Sequence, residues 1–180
     1  YNAYYKKNDD GFQPKSNGKS NYGKKKYPSK SKGYPKKNAQ KPSIKIAFLG
    51  GLNEIGKNIT LVECENDIII IDCGMAFPDG DMLGVDLVIP DFTYIEQNAD
   101  RVKGIILTHG HEDHIGGLPF LLSKVNVPIY GTPLTLGLVG NKLKEHSLYN
   151  QSQLNVINAG QSIKLGCMKI DFIHVNHSIP

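Results

Sequence analysis

The sequence predicts an α/β domain over residues 43–180, preceded by a disordered Lys/Tyr-rich extension over residues 1–42. Three observations predict it: short β-rich runs interleaved with helix signals, a run of four isoleucines with no polar face, and an abrupt change of composition near Pro42. Residues 1–41 hold twelve Lys against two Asp, whereas residues 42–180 hold nine Lys and Arg against fifteen Asp and Glu. The formal net charge of +4 therefore averages two unlike segments.

The extension contains no Leu, Ile or Val, so it has no means of offsetting the entropy of ordering its backbone. Its six tyrosines stand among the lysines, partly in Tyr-Gly and Tyr-Pro steps, without a fixed period. Lysines release counterions from phosphates and tyrosines stack on unpaired bases, so weak, salt-sensitive RNA binding is one reading. A solubilising extension or a contact for another protein is the other.

From Ser43 the pattern turns to strands. Runs from Ile44 to Leu49, Ile59 to Glu65 and Ile68 to Ile71 read as a meander, the last two joined by Asn66-Asp67. The isoleucines at 68–71 suit a strand covered on both faces. Residues 72–91, rich in Gly, Pro and Asp, read as a long loop, and long loops in compact domains tend to be functional. Asp79, Asp81, Asp86 and Asp91 in this region suit solvent-facing or capping roles.

A short helix is expected from Asp91, then an apolar strand from Val102 to Leu107 that runs into a histidine cluster, then a helix from Ile115 to Leu122 despite Pro119. A strand at Pro128–Tyr130 follows. Thr132-Pro133 sets a capping hydroxyl before a proline, opening a helix with Leu134, Leu138, Val139 and Leu143. Sheet segments at Leu154–Ile157 and Ile163–Val175 complete the chain, with a turn or bulge at Gly166.

No stretch approaches the roughly twenty apolar residues of a membrane helix, and no apolar core follows the N-terminal lysines, so a soluble, cytoplasmic protein without a membrane partner is expected. Cys64, Cys73 and Cys167 are an odd, sparse set in apolar surroundings and read as buried thiols, not as a disulfide framework.

The chemistry is concentrated in Thr108-His109-Gly110-His111-Glu112-Asp113-His114. Imidazoles at i and i+2 of extended backbone project to one side, while Asp113 and His114 begin the next turn, so one loop can serve two ions. Imidazoles with one carboxylate suit Zn(2+), with Mn(2+) or Fe(2+) also compatible. Two such ions roughly 3.5–4 Å apart activate a hydroxide for ester and phosphodiester hydrolysis. One histidine alone reads as a surface residue, but three within six residues beside a carboxylate read as ligands. Asp72, ending the isoleucine strand, is read as orienting the ligands rather than as a turn former, and Glu112 as standing outside them. Between His174 and His177 spacing does not choose; the polar setting of His177 favours it modestly.

The cluster resembles the signature of the metallo-β-lactamase superfamily. Further blocks, Gly50 to Asn58, Asp72 to Pro78, Gly84 to Asp91, Leu107 to Leu122 and Asn176 to Pro180, resemble those of the bacterial ribonuclease J family in the β-CASP group. The resemblance implies the N-terminal half of an αβ/βα sandwich, with β-CASP and C-terminal domains not matched within the chain. It implies a metal-dependent ribonuclease with 5′-to-3′ exonuclease and endonuclease activity, acting in rRNA processing and mRNA decay. It further implies two divalent ions per site: His109, His111 and His177 would hold one, and Asp113 and His114 the other. Asp72, Asp113 and His114 are the catalytic candidates. Expected partners are RNA, further copies of the chain in a dimer or tetramer, and an RNA helicase or the ribosome. The alternatives are a small-molecule hydrolase of the same superfamily, or an RNA-binding module with an inactive metal loop. Because part of the sandwich is unmatched, apolar sheet and helix faces are expected to lie uncovered.

Overall fold

The computed structural model describes residues 42–179, and the expected disorder of residues 1–41 lies outside them. Its framework is a six-stranded sheet in the order β1-β2-β3-β4-β5-β6: β1 (Ile44–Gly50), β2 (Ile59–Cys64), β3 (Asp67–Ile71), β4 (Val102–Ile106), β5 (Ile129–Gly131) and β6 (Leu154–Val156). The meander β1–β2–β3 is antiparallel, as its short connections require, and β3 through β6 run parallel. The two faces of the isoleucine strand are both used. Ile68 and Ile70 join Ile105, Leu107 and Ile129 in the main core, while Ile69 and Ile106 lie in a second cluster on the opposite face.

Helices cover the main-core face. These are α1 (Thr93–Gln97), α2 (Glu112–Ile115), α3 (Leu118–Leu122) and α4 (Pro133–Glu145), contributing Ile95, Ile115, Leu118 with Leu121, and Val139 with Leu143. α4 starts where the sequence predicts: Thr132 Oγ1 accepts from the Thr135 amide at 3.4 Å, with Pro133 as the first helical residue. The helix expected at Ile115–Leu122 is instead two. Gly117 N donates to Cys73 O at 2.9 Å, outside the helix, and Pro119 has no amide hydrogen to restore the ladder. The other face receives the hairpin of β7 (Ser162–Leu165) and β8 (Met168–Asp171), whose Leu165, Ile163 and Ile170 pack on Ile69 and Ile106.

Cys64 and Cys73 are buried thiols as expected, but Cys167 is exposed, because it sits in the tight β7–β8 turn beside Gly166 at φ +58°. Burial pushes the Cys73 thiol far above its ordinary range, so it is inert. No helix among the described residues is long and apolar enough to cross a membrane.

Candidate metal centre

The centre forms where β3 and β4, parallel neighbours, both end. Asp72 follows β3 with φ +59°, a left-handed conformation that Asp tolerates better than most residues, and its amide donates to Ile106 O at 2.9 Å. This turn directs the Asp72 carboxylate at the segment leaving β4. Oδ1 accepts from the Thr108 amide at 2.8 Å, and Oδ2 accepts from Thr108 Oγ1 at 2.7 Å and lies 2.8 Å from His114 Nδ1. The loop from Met75 to Val88 is closed by two backbone hydrogen bonds between Ala76 and Val88.

One carboxylate thereby sets the protonation of two imidazoles. A carboxylate oxygen only accepts, so His114 carries its hydrogen on Nδ1 and turns the Nε2 lone pair outward. The Thr108 hydroxyl has one hydrogen, given to Asp72, so its oxygen accepts from His109 Nδ1 at 2.9 Å. His109 Nε2 then presents a lone pair as well.

His109 is only 9% exposed, and its Nε2 is buried with no hydrogen-bond partner among the described residues. Such an atom is costly in an interior unless something else engages it. Desolvation, with the positive potential of His114 and His177 beside it, drives the His109 pKa down to about 4, so the ring is neutral near pH 7. For His114 burial opposes protonation, but the Asp72 hydrogen bond and the carboxylate charges of Asp72 and Asp113 outweigh it and raise the pKa.

His111, two residues on in the same loop, and His177, from a segment after β8, complete the group. One ligand atom from each of His109, His111 and His177 lies within 4.8 Å of the others, and His111 Nδ1 is 3.0 Å from His177 Nε2. The rings of His109 and His177 stand 4.2 Å apart, and those of His109 and His114 4.0 Å. Asp113 Oδ2 lies 3.4 Å from His114 Nε2, making an adjoining pair. Three imidazole nitrogens, one of them an orphaned buried lone pair, fit a divalent transition ion; the carboxylate–imidazole pair beside them is of the same donor type.

His174 is exposed and outside this group, although its neighbours bring it to the same apolar recess as His177. Glu112 faces away, with Oε2 2.9 Å from Lys142 Nζ. Asp91 precedes α1 and accepts from the Thr93 amide at 2.8 Å and from its hydroxyl at 2.6 Å. A residue that sequence reasoning passed over is Asn58, whose side-chain nitrogen lies 3.0 Å from Asp113 Oδ2 and 3.2 Å from His114 Nε2. No spacing signal marks it, since 55 residues separate it from Asp113.

Residues 52–171 match the family model described as the metallo-beta-lactamase superfamily. The chain is 48% identical over 137 residues to ribonuclease J 1 of Streptococcus pyogenes serotype M3, a match covering 76% of the chain and 24% of that protein. It is 47% identical over 140 residues to ribonuclease J of Helicobacter pylori strain 26695, covering 77% and 20%, and 45% identical over 145 residues to ribonuclease J2 of Bacillus subtilis, covering 81% and 26%. The chain thus spans about a fifth to a quarter of the length of these relatives.

Among solved structures, a protein of unknown function from Enterococcus faecalis V583 shares the fold at a TM-score of 0.57 and 16% identity, covering 76% of this chain and 38% of that one. The metallo-beta-lactamase fold protein YhfI from Bacillus subtilis shares it at 0.50 and 20%, covering 77% and 55%. Both likenesses bear on fold alone.

Proposed function

The chain belongs to the metallo-beta-lactamase superfamily, and from that premise we propose that it carries the metal-binding loop of a ribonuclease of the ribonuclease J type, hydrolysing RNA phosphodiesters. The observation that carries this reading is the convergence of His109, His111 and His177 around a buried His109 Nε2 with no hydrogen-bond partner among the described residues. The identity of 45–48% to proteins named ribonuclease J supports RNA as the substrate.

In this reading His109, His111 and His177 hold one divalent ion, and Asp113 and His114 a second; Zn(2+) suits the donors, and Mn(2+) is compatible. When bound, such ions lower the pKa of water and neutralise charge developing on a transferring phosphoryl group. The chain's own residues prepare for this. Asp72, directly at His114 and through Thr108 at His109, fixes each ring in the tautomer whose Nε2 is free. The depressed pKa of His109 keeps it from competing for a proton at neutral pH. Exonuclease and endonuclease action, a role in RNA maturation and decay, and a reducing cytoplasm, in keeping with free Cys64 and Cys73, belong to the same proposal.

The test is metal content and cleavage of a 5′-labelled RNA by the protein and by His109→Ala and His177→Ala. Both variants should lose bound metal and, with it, most of the cleavage. Full metal stoichiometry with undiminished cleavage in either variant would contradict the ligand assignment.

A further inference from the structure

We propose that Asn58 is a positioning residue of this centre, its side-chain amide holding the Asp113 carboxylate and the His114 imidazole aimed at one point. The inference rests on the two-ion reading above and deepens it at the Asp113–His114 pair.

The need for such a residue follows from the lone pairs. In the neutral form that can bind an ion, His114 gives its Nδ1 hydrogen to Asp72, so the atoms facing each other at 3.4 Å, His114 Nε2 and Asp113 Oδ2, are both acceptors. Two acceptors at that separation repel unless something positive stands between them. Asn58 Nδ2 lies 3.2 Å from the first and 3.0 Å from the second, and 3.1 Å from the Asp113 carbonyl oxygen. An amide nitrogen offers two hydrogens to these three acceptors, so the positive end of its dipole faces both ligand atoms at once.

Asn58 is itself held in place. Its amide donates to Asp113 O at 3.0 Å, and its carbonyl accepts from Gly74 N at 3.0 Å, immediately before β2 begins at Ile59. Gly74 permits that approach: a Cβ there would lie 1.6 Å from Asp113 O and 2.9 Å from Asn58 N. The side chain thus acts from a backbone anchored to the loop it positions.

An arriving cation competes with the Asn58 hydrogens for the same lone pairs, so two effects oppose each other. A carboxylate has about four lone-pair sites, so Asp113 can keep its bond to Asn58 and still face the ion; only the bond to His114 Nε2 is given up, which in net terms costs about a factor of ten or less. Residues that orient metal ligands typically contribute about 10- to 100-fold in affinity. Preorganisation therefore wins, and removing the amide weakens the second ion.

The experiment titrates the metal-stripped protein and Asn58→Ala with Co(2+), following visible absorption and bound stoichiometry. The protein should bind two ions; Asn58→Ala should bind the first with unchanged affinity and the second about 10- to 100-fold more weakly. A merely structural role would weaken both together or neither, and either result overturns the proposal while leaving the two-ion reading standing. Uptake of fewer than two ions by the unmodified protein overturns both. A second measurement does not depend on the variant folding: in the metal-free unmodified protein, the Asn58 side-chain amide protons should exchange slowly, with His114 protonated at Nδ1. Fast exchange of those protons overturns the proposal.

Discussion

At the scale of single residues, hydrogen bonds fix which nitrogen of the His109 and His114 imidazoles is free. Thr108 shows how little material this takes: one hydroxyl, donating to Asp72 and accepting from His109, decides the tautomer of a ring whose other nitrogen is buried. Thr108→Val keeps the shape of the side chain and removes the relay. It should reduce Zn(2+) affinity by about tenfold, measured by competition with a chromophoric chelator, with little change in fold. The cluster from His109 to His114 was legible because three histidines and an aspartate within six residues have few other uses. Asn58 was not, since a side-chain amide gains a role only from what stands opposite it, and that is contributed by a segment 55 residues away.

At the scale of elements, each strand end brings one part of the centre: Asp72 after β3, Thr108 and His109 after β4, and Asn58 before β2. The layer is braced away from the metal loop by Glu63 of β2, which accepts from the Tyr94 hydroxyl of α1 and pairs with Arg101 at 2.8 Å. The Tyr94 hydrogen bond, together with Arg101, holds the Glu63 carboxyl below its ordinary range against the opposing effect of burial. Its folded-state pKa is therefore lower than its unfolded one, so its contribution to stability is present above about pH 4.5 and is lost as pH falls through the depressed value. Denaturant unfolding between pH 6 and pH 3 should show a smaller loss of stability for Glu63→Gln than for the unmodified protein. Element boundaries were partly legible. The Thr132-Pro133 start of α4 was found from its own residues, whereas the break between α2 and α3 was missed, because the hydrogen bond from Gly117 to Cys73 that interrupts the ladder is tertiary.

At the scale of the described domain, the sheet is covered unequally. On the helix side Ile70 is fully buried, and Ile70→Ala should cost about 2–5 kcal/mol in denaturant unfolding. On the other side the hairpin β7–β8 covers Ile69 and Ile106, but β1 leaves Ile44, Ile46 and Phe48 66%, 61% and 53% exposed. Ile46→Glu should change stability by no more than about 0.5 kcal/mol, since little apolar area leaves water there. Exposed apolar side chains are thus grouped along β1, with others on loops, among them Ile55 and Leu83, and on α4 at Leu134 and Leu138.

Taken by itself, the sequence determined the α/β class, the doubly buried isoleucine strand and a histidine loop whose donor atoms are of the type that suits a metal ion. These are local properties, carried by the alternation of side chains along a strand and by donor atoms a few residues apart. Only the tertiary structure decided which neighbours complete the loop. It brought His177 within reach of His109 and His111, set Asp72 against both Thr108 and His114, and turned Asn58 toward Asp113. The physical reason is that spacing along a chain constrains contacts only within a few residues, whereas hydrogen bonds between strand ends depend on the register of the whole sheet.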